Sequence, residues 1–194
     1  LRRQRQMCIR DRHLSIAAGI GLGTLARWLG TERVVRAMPN TPALVGQGMT
    51  GLYTPAATPD ADRELAESAL RSTGQLLWVD DEALIDSVTA VSGSGPAYVF
   101  FFIEALEQAG VEMGLTAEQA HQLAVGTFTG ASALAAASND TPAVLRQRVT
   151  SKGGTTFAAI SSMEADRVKD SIVRALHAAR LRAQELEQEF GRAD

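Results

Sequence analysis

SGPAYVFFFIEALEQAGVEMG, residues 94–114, decides how this chain is organised. Ser94 offers an N-cap and Pro96 falls in the first turn, the residue order of a helix start. The run AYVFFFI, residues 97–103, is the longest strongly apolar stretch in the sequence. It meets Glu104 far short of the roughly 20 apolar residues that a membrane span needs. The predicted helix is apolar nearly all round, so it has no face for water. A helical half this small has little core in which to hide such a helix, which points to a subunit interface.

Everything downstream reads as helix. TAEQAHQLAVGTFTGASALAAAS opens with Thr116 and Gln119 in the capping-box spacing. TPAVLRQRV is short, with Thr141 as cap and Pro142 as first residue. A glycine turn follows, then a helix over 155–165 and a last one over 166–190. The half is rich in Ala and Gly, which lets helices approach closely.

Upstream the pattern alternates. HLSIAAG is a short apolar run ended by Gly19, the pattern of a buried strand, and GTLARWLG has helical spacing up to Gly30. ERVVRAMPNTP predicts a strand over 33–38, stopped by Pro39 and Pro42. GMTGLYTP reads as a third strand and QLLWVDD as a fourth. Between them, TPDADRELAESALRSTG is an amphipathic helix with an acidic first turn and Gly74 as C-cap. Strand–helix alternation over 13–80 predicts part of an open α/β sheet.

Composition narrows the function. The 194 residues carry a formal net charge of −3, and no basic stripe with interleaved aromatics marks a nucleic-acid surface. Cys8 is the single cysteine, so no internal disulfide is expected, which fits a reducing cytoplasm. His13, His121 and His177 lie far apart without a carboxylate or Cys at ligand spacing, so no metal site is expected. LRRQRQMCIRDR, residues 1–12, is Arg-rich and aperiodic, does not begin with Met, and lacks the apolar core and cleavage site of a leader. It reads as non-native or disordered sequence on a fragment of a longer protein.

Four stretches could hold a ligand. GIGLGTLA, residues 19–26, contains Gly21-x-Gly23-x-x-Ala26, but the next strand arrives too soon and ends in Met-Pro-Asn rather than an acid. An ordinary strand-to-helix turn is the better reading. AMPNTP, residues 37–42, follows the carboxyl end of a strand, where open sheets bind ligands; a plain proline turn is the alternative. SGSGPAY, residues 92–98, offers either N–H groups for an anion or a hinge between close-packed domains. SKGGTT, residues 151–156, is the most informative. Gly153 and Gly154 permit dihedrals that converge N–H groups, Ser151, Thr155 and Thr156 add hydroxyls, and the next helix adds its positive end. That suits a carboxylate or phosphate, against the alternative of a capped helix start. The order is wrong for a P-loop, which needs Gly-Lys-Ser/Thr at its end. No Ser–His–Asp set, carboxylate pair or reactive Cys stands nearby, so a cofactor must bring any chemistry.

RAMPNTPALVGQGMTGLY, VTAVSGSGPAYVFFFIEAL and SKGGTTFAAI, in this order and spacing, closely resemble the pyrroline-5-carboxylate reductase family over residues 13 to about 191. The resemblance implies the C-terminal part of a Rossmann-type NAD(P)-binding domain (13–86). An all-α dimerisation domain of the 6-phosphogluconate-dehydrogenase C-terminal type follows (87–194). It implies NADPH or NADH as cofactor, pyrroline-5-carboxylate reduced to proline in proline biosynthesis, a cytoplasmic setting, and homodimers that assemble further, commonly into decamers. Ser151, Gly153, Gly154, Thr155 and Thr156 match the loop that grips the substrate carboxylate, and Thr156 also the position nearest the ring nitrogen. Met38, Asn40, Thr41 and Pro42 match the segment beside the nicotinamide. Residues 92–98 match the start of the dimer helix. Lys152 stands where the family usually has Pro. The family's GxGxxG loop lies ahead of AMPNTP and has no counterpart here, so the fragment is expected to be inactive alone. The competing expectations are another imine reductase of the superfamily, which the carboxylate loop argues against, and a non-catalytic dimerising module.

Overall fold

The computed structural model describes residues 12–191. Apart from Arg12, the expectation for the first twelve residues lies outside the described part. Contacts divide the described chain into two compact units, residues 12–96 with 176–191, and residues 97–175.

The first unit is built on a four-stranded sheet. Strands β1 (His13–Ser15), β2 (Val34–Met38), β3 (Gly48–Tyr53) and β4 (Gly74–Trp78) lie in chain order. β1 pairs parallel with β2, β2 antiparallel with β3, and β3 parallel with β4. β2 is buried along nearly its whole length, as a strand covered on both faces must be. Its residues alternate between two cores. Val34 packs with Leu22 and Leu25 of helix α1 (Leu22–Leu29), while Val35 and Ala37 pack with Ala66 and Leu70 of α2 (Asp60–Leu70). β1 is shorter than HLSIAAG suggests. Ser15 Oγ accepts the Ala17 N–H, and Gly19 turns left-handed at φ +72°. Gly74 does not cap α2 directly. Residues Arg71–Thr73 tighten into a 3₁₀ turn, and Gly74 then opens β4 at φ +136°.

Charge pairs fix α2 and the last helix to this sheet. Asp62 of α2 accepts two bonds from Arg33, at 2.8 and 2.6 Å, and lies 2.9 Å from Arg12 Nε. The Arg33 hydrogen bonds hold the Asp62 carboxyl below its ordinary range. Arg36, 2% exposed on β2, donates through Nη1 to Glu82 Oε1 at 2.8 Å and to Glu187 Oε2 at 3.4 Å. Glu187 lies on α8 (Val168–Gly191), and its last turns belong to the first unit.

Asp86 is buried near this cluster, on α3 (Leu84–Val88). Desolvation raises its pKa; Glu187 and Glu82 raise it further, while Arg36 and Arg180 pull it down. A carboxyl whose folded pKa is raised favours folding below its unfolded value near 3.9 and loses that contribution as pH rises through the folded value. Asp86→Asn should therefore raise the melting temperature at pH 7 by a few degrees and leave it unchanged near pH 3. Thermal melts at the two pH values check this, and an equal effect at both would contradict it.

The second unit is helical: α4 (Gly95–Glu112), α5 (Ala117–Ala137), α6 (Pro142–Arg148), α7 (Thr155–Ala165) and the first turns of α8. The Thr116–Gln119 capping box forms in both directions, and Thr141 caps α6. Gly110 and Ala120 bring α4 and α5 together, since a Cβ on Gly110 would sit 3.0 Å from that of Ala120. Arg167, at φ +53°, makes the turn between α7 and α8, so α8 starts two residues later than 166. His121 is not without an acidic neighbour: Glu107 Oε1 lies 2.6 Å from its Nδ1.

Ser94 is not an N-cap. α3 runs into a π-helical segment, Thr89–Gly93, and Ser94 keeps helical dihedrals, its N–H donating to Thr89 O at 2.8 Å. The glycines at 93 and 95 read as a break, but a widened turn absorbs them instead. The stretch 92–98 thus continues an existing helical segment instead of opening a helix at Ser94.

Candidate active site

SKGGTT forms a tight turn into α7. Gly154 N–H donates to Ser151 O at 3.0 Å, and Ala158 N–H donates to Gly154 O at 3.1 Å, the first bond of the helix. Gly153 is left-handed, at φ +75°, a conformation that suits glycine. Gly154 is extended (φ −82°, ψ 172°) at the N-cap and brings no side chain to cap the helix. The first-turn N–H groups of Thr155, Thr156 and Phe157 thus have no partner among the described residues. This refines the sequence reading in one respect. The two glycines do not both present N–H groups, because that of Gly154 closes the turn. The open donors are those of α7's first turn, and the glycines leave the approach to them clear. The hydroxyls of Thr155 and Thr156 stand exposed beside them, with the partial positive charge of the 11-residue helix behind. Arg146 is paired with Glu164 and Arg148 with Asp140, whereas Lys152 makes no ion pair among the described residues.

AMPNTP lies at the carboxyl end of β2, in the first unit. Met38 is the last residue of the strand, and Thr41 and Pro42 begin a 3₁₀ turn (Thr41–Val45). The Asn40 side chain is already engaged: its Nδ2 donates to Ser92 O and Oγ, each at 3.2 Å, and its Oδ1 accepts from Met49 N at 2.9 Å. The Met38 methyl occupies the space a Cβ on Gly93 would need. A groove of about 350 Å³ opens beside the loop, lined by Met49, Gly51, Leu77, Val79, Val88 and Ser92 among others. The AMPNTP residues and the SKGGTT residues thus belong to different units.

The turn at Gly21 behaves as an ordinary helix start. Glu82 Oε1 accepts the Leu22 N–H at 2.5 Å, so a carboxylate of the protein holds the N-terminus of α1. A Cβ on Gly21 would collide with Glu187 Oε1. A pyrophosphate has no place there. Sequence reasoning missed this cluster. Its signal was Arg36 inside the apolar run VVRAM, since a buried guanidinium demands carboxylate partners.

The profile described as pyrroline-5-carboxylate reductase dimerisation matches residues 82–186, more than half of the chain. The chain belongs to the pyrroline-5-carboxylate reductase family. It is 50% identical over 179 residues to the Pseudomonas aeruginosa pyrroline-5-carboxylate reductase, covering 92% of this chain and 66% of that relative. The chain thus spans just under two thirds of that protein's length. Among solved structures, a pyrroline-5-carboxylate reductase from Coxiella burnetii superposes with a TM-score of 0.86 at 39% identity, over 94% of this chain and 68% of its own. The Plasmodium falciparum pyrroline carboxylate reductase with NADP bound gives 0.83 at 32% identity, over 90% and 70%. The four-stranded α/β part followed by helices is therefore the family's fold.

Proposed function

We propose that this chain contributes the nicotinamide-side and substrate-side surfaces of an NAD(P)H-dependent pyrroline-5-carboxylate reductase, which converts the cyclic imine to L-proline. The observation that carries the reading is the uncapped N-terminus of α7 behind Gly153 and Gly154. The substrate carboxylate seats on the N–H groups of Thr155, Thr156 and Phe157, with the hydroxyls of Ser151 and Thr155 around it. Thr156 is the residue we assign to the reaction itself, its hydroxyl facing the ring nitrogen. A protonated imine brings its own positive charge, so no strong acid is needed, and the protein's task is orientation. The loop of Met38, Asn40, Thr41 and Pro42 fits the nicotinamide end of the cofactor: it is stiffened by two prolines and braced by Asn40. The turn at Gly21 does not fit the pyrophosphate. Bound NADPH (or NADH) supplies the hydride.

The same proposal makes the protein a homodimer through α4, where Phe100 and Phe101 are 58% and 67% exposed. Further assembly of such dimers, as in the family's decamers, belongs to the same proposal. No helix among the described residues is long and apolar enough to cross a membrane. The cytoplasm is the proposed setting.

Calorimetric titration of the 194-residue chain with L-proline and with pyrrolidine tests the carboxylate site. Binding of L-proline but not of pyrrolidine is expected. Equal binding of both would favour an imine reductase indifferent to the carboxylate. Binding of neither, with no turnover of pyrroline-5-carboxylate and NADPH, would favour a dimerising module without catalysis.

A further inference from the structure

We infer that Ser92 is a positioning residue for the nicotinamide-side loop, acting through Asn40. The inference rests on the function proposed above for Met38, Asn40, Thr41 and Pro42. Three side-chain and backbone groups close a ring of hydrogen bonds. Asn40 Nδ2 donates to Ser92 O and Oγ, Ser92 Oγ donates to Met49 O at 3.4 Å, and Met49 N donates to Asn40 Oδ1. The ring ties the carboxyl end of β2 to the start of β3 and to the π-helical segment, all within the first unit.

The sequence explains why Ser92 can do this. In a regular helix its carbonyl would accept the N–H four residues on. That residue is Pro96, which has no N–H to give. The carbonyl is left to Asn40. The widened turn carries a second contact, because the Met38 methyl lies 2.6 Å from where a Cβ on Gly93 would sit. Successive residues of the π segment thus set Asn40 and Met38, the two side chains that bracket Pro39. Both ends of the Asn40 amide are occupied by the fold, so its contribution is the shape of the loop rather than a direct bond to cofactor through those atoms.

The experiment uses the 194-residue chain and reduced nicotinamide mononucleotide as probe, with binding followed by nicotinamide fluorescence. Hydrogen exchange of the Met49 amide and the melting temperature are recorded alongside. Ser92→Ala removes the two long neutral hydrogen bonds of Ser92 Oγ and should weaken probe binding about three- to ten-fold and speed Met49 exchange. Ser92→Thr, which keeps the hydroxyl, should restore both. Asn40→Ala removes both bonds donated to Ser92 and the one accepted from Met49, so it should weaken probe binding at least as much as Ser92→Ala, with a double variant no worse than Asn40→Ala alone. Faster Met49 exchange with unchanged probe binding would reduce Ser92 to a structural role and overturn the inference alone. Unchanged exchange and binding would overturn it too. Failure of the unmodified chain to bind the probe would instead overturn the nicotinamide reading of the loop, and this inference with it.

Discussion

Gly154→Val should weaken binding of L-proline by about ten-fold or more, and Gly153→Val by at least as much. The two act differently. A Cβ on Gly154 would lie 2.7 Å from Ser151 Oγ and 3.2 Å from Ser151 O. The hydroxyl can rotate away; the carbonyl cannot move without opening the Ser151–Gly154 turn. Gly153 has open space around it, but its φ of +75° is a conformation that strains a β-branched residue by about 1–3 kcal/mol. Either change moves the first turn of α7 away from the carboxylate. A hydrogen bond to a charged group is worth about 1.5–3 kcal/mol, and about 1.4 kcal/mol is a decade of affinity. Thr156→Val keeps the shape and removes one hydroxyl, so its loss should be smaller and in the same direction. Gly153→Ala separates strain from bulk, since alanine adds the strain with almost none of the crowding. NADPH binding should not change in any of them, because the Met38–Pro42 loop lies in the other unit. Wild-type affinity for L-proline in both valine variants, or a loss confined to NADPH, would show that this turn does not hold the carboxylate.

Which glycine carries the backbone constraint was not legible in the sequence. A Gly-Gly pair announces unusual dihedrals without saying where they fall, and the structure puts the left-handed residue at 153, not 154. Local signals did locate the elements. Thr116 and Thr141 cap where the sequence places N-caps, because capping depends on neighbours a few residues away. Ser94 failed for the opposite reason. Gly-Ser-Gly-Pro has the composition of a helix start, yet the chain before it is already helical and reaches Ser94 through the π-helical segment Thr89–Gly93. The loop residues of AMPNTP could be picked out by their place after a strand. The engagement of Asn40 with Ser92 could not, since those residues are 52 positions apart. The Arg36 cluster spans even more chain, 151 positions to Glu187.

Phe101→Glu should convert a stable dimer into a monomer, or into a chain that no longer folds to one species. Within the second unit α4 leaves Val99, Phe100, Phe101, Leu106 and Val111 exposed, and buries only Gly110. Phe157 and Met163 of α7 and Val173 of α8 are exposed in the same unit. A run of this kind exceeds the single apolar residues that a monomer normally shows. Covering one exposed Phe contributes about 1–2 kcal/mol for the fraction still open to water, and two-fold symmetry counts each side chain twice. A second copy of the same helical surface is the occupant the family match supplies, since residues 82–186 fit a dimerisation profile. Sedimentation of the chain at low micromolar concentration should show a dimer, with a melting temperature that rises with concentration. Phe101→Glu places a charge where a partner would have to desolvate it, at a cost of several kcal/mol. Phe101→Leu keeps an apolar side chain and should remain dimeric, which distinguishes a lost interface from a general loss of folding. A monodisperse, cooperatively melting monomer from the unmodified chain would refute the dimer. Retention of the dimer by Phe101→Glu would move the interface off this face of α4.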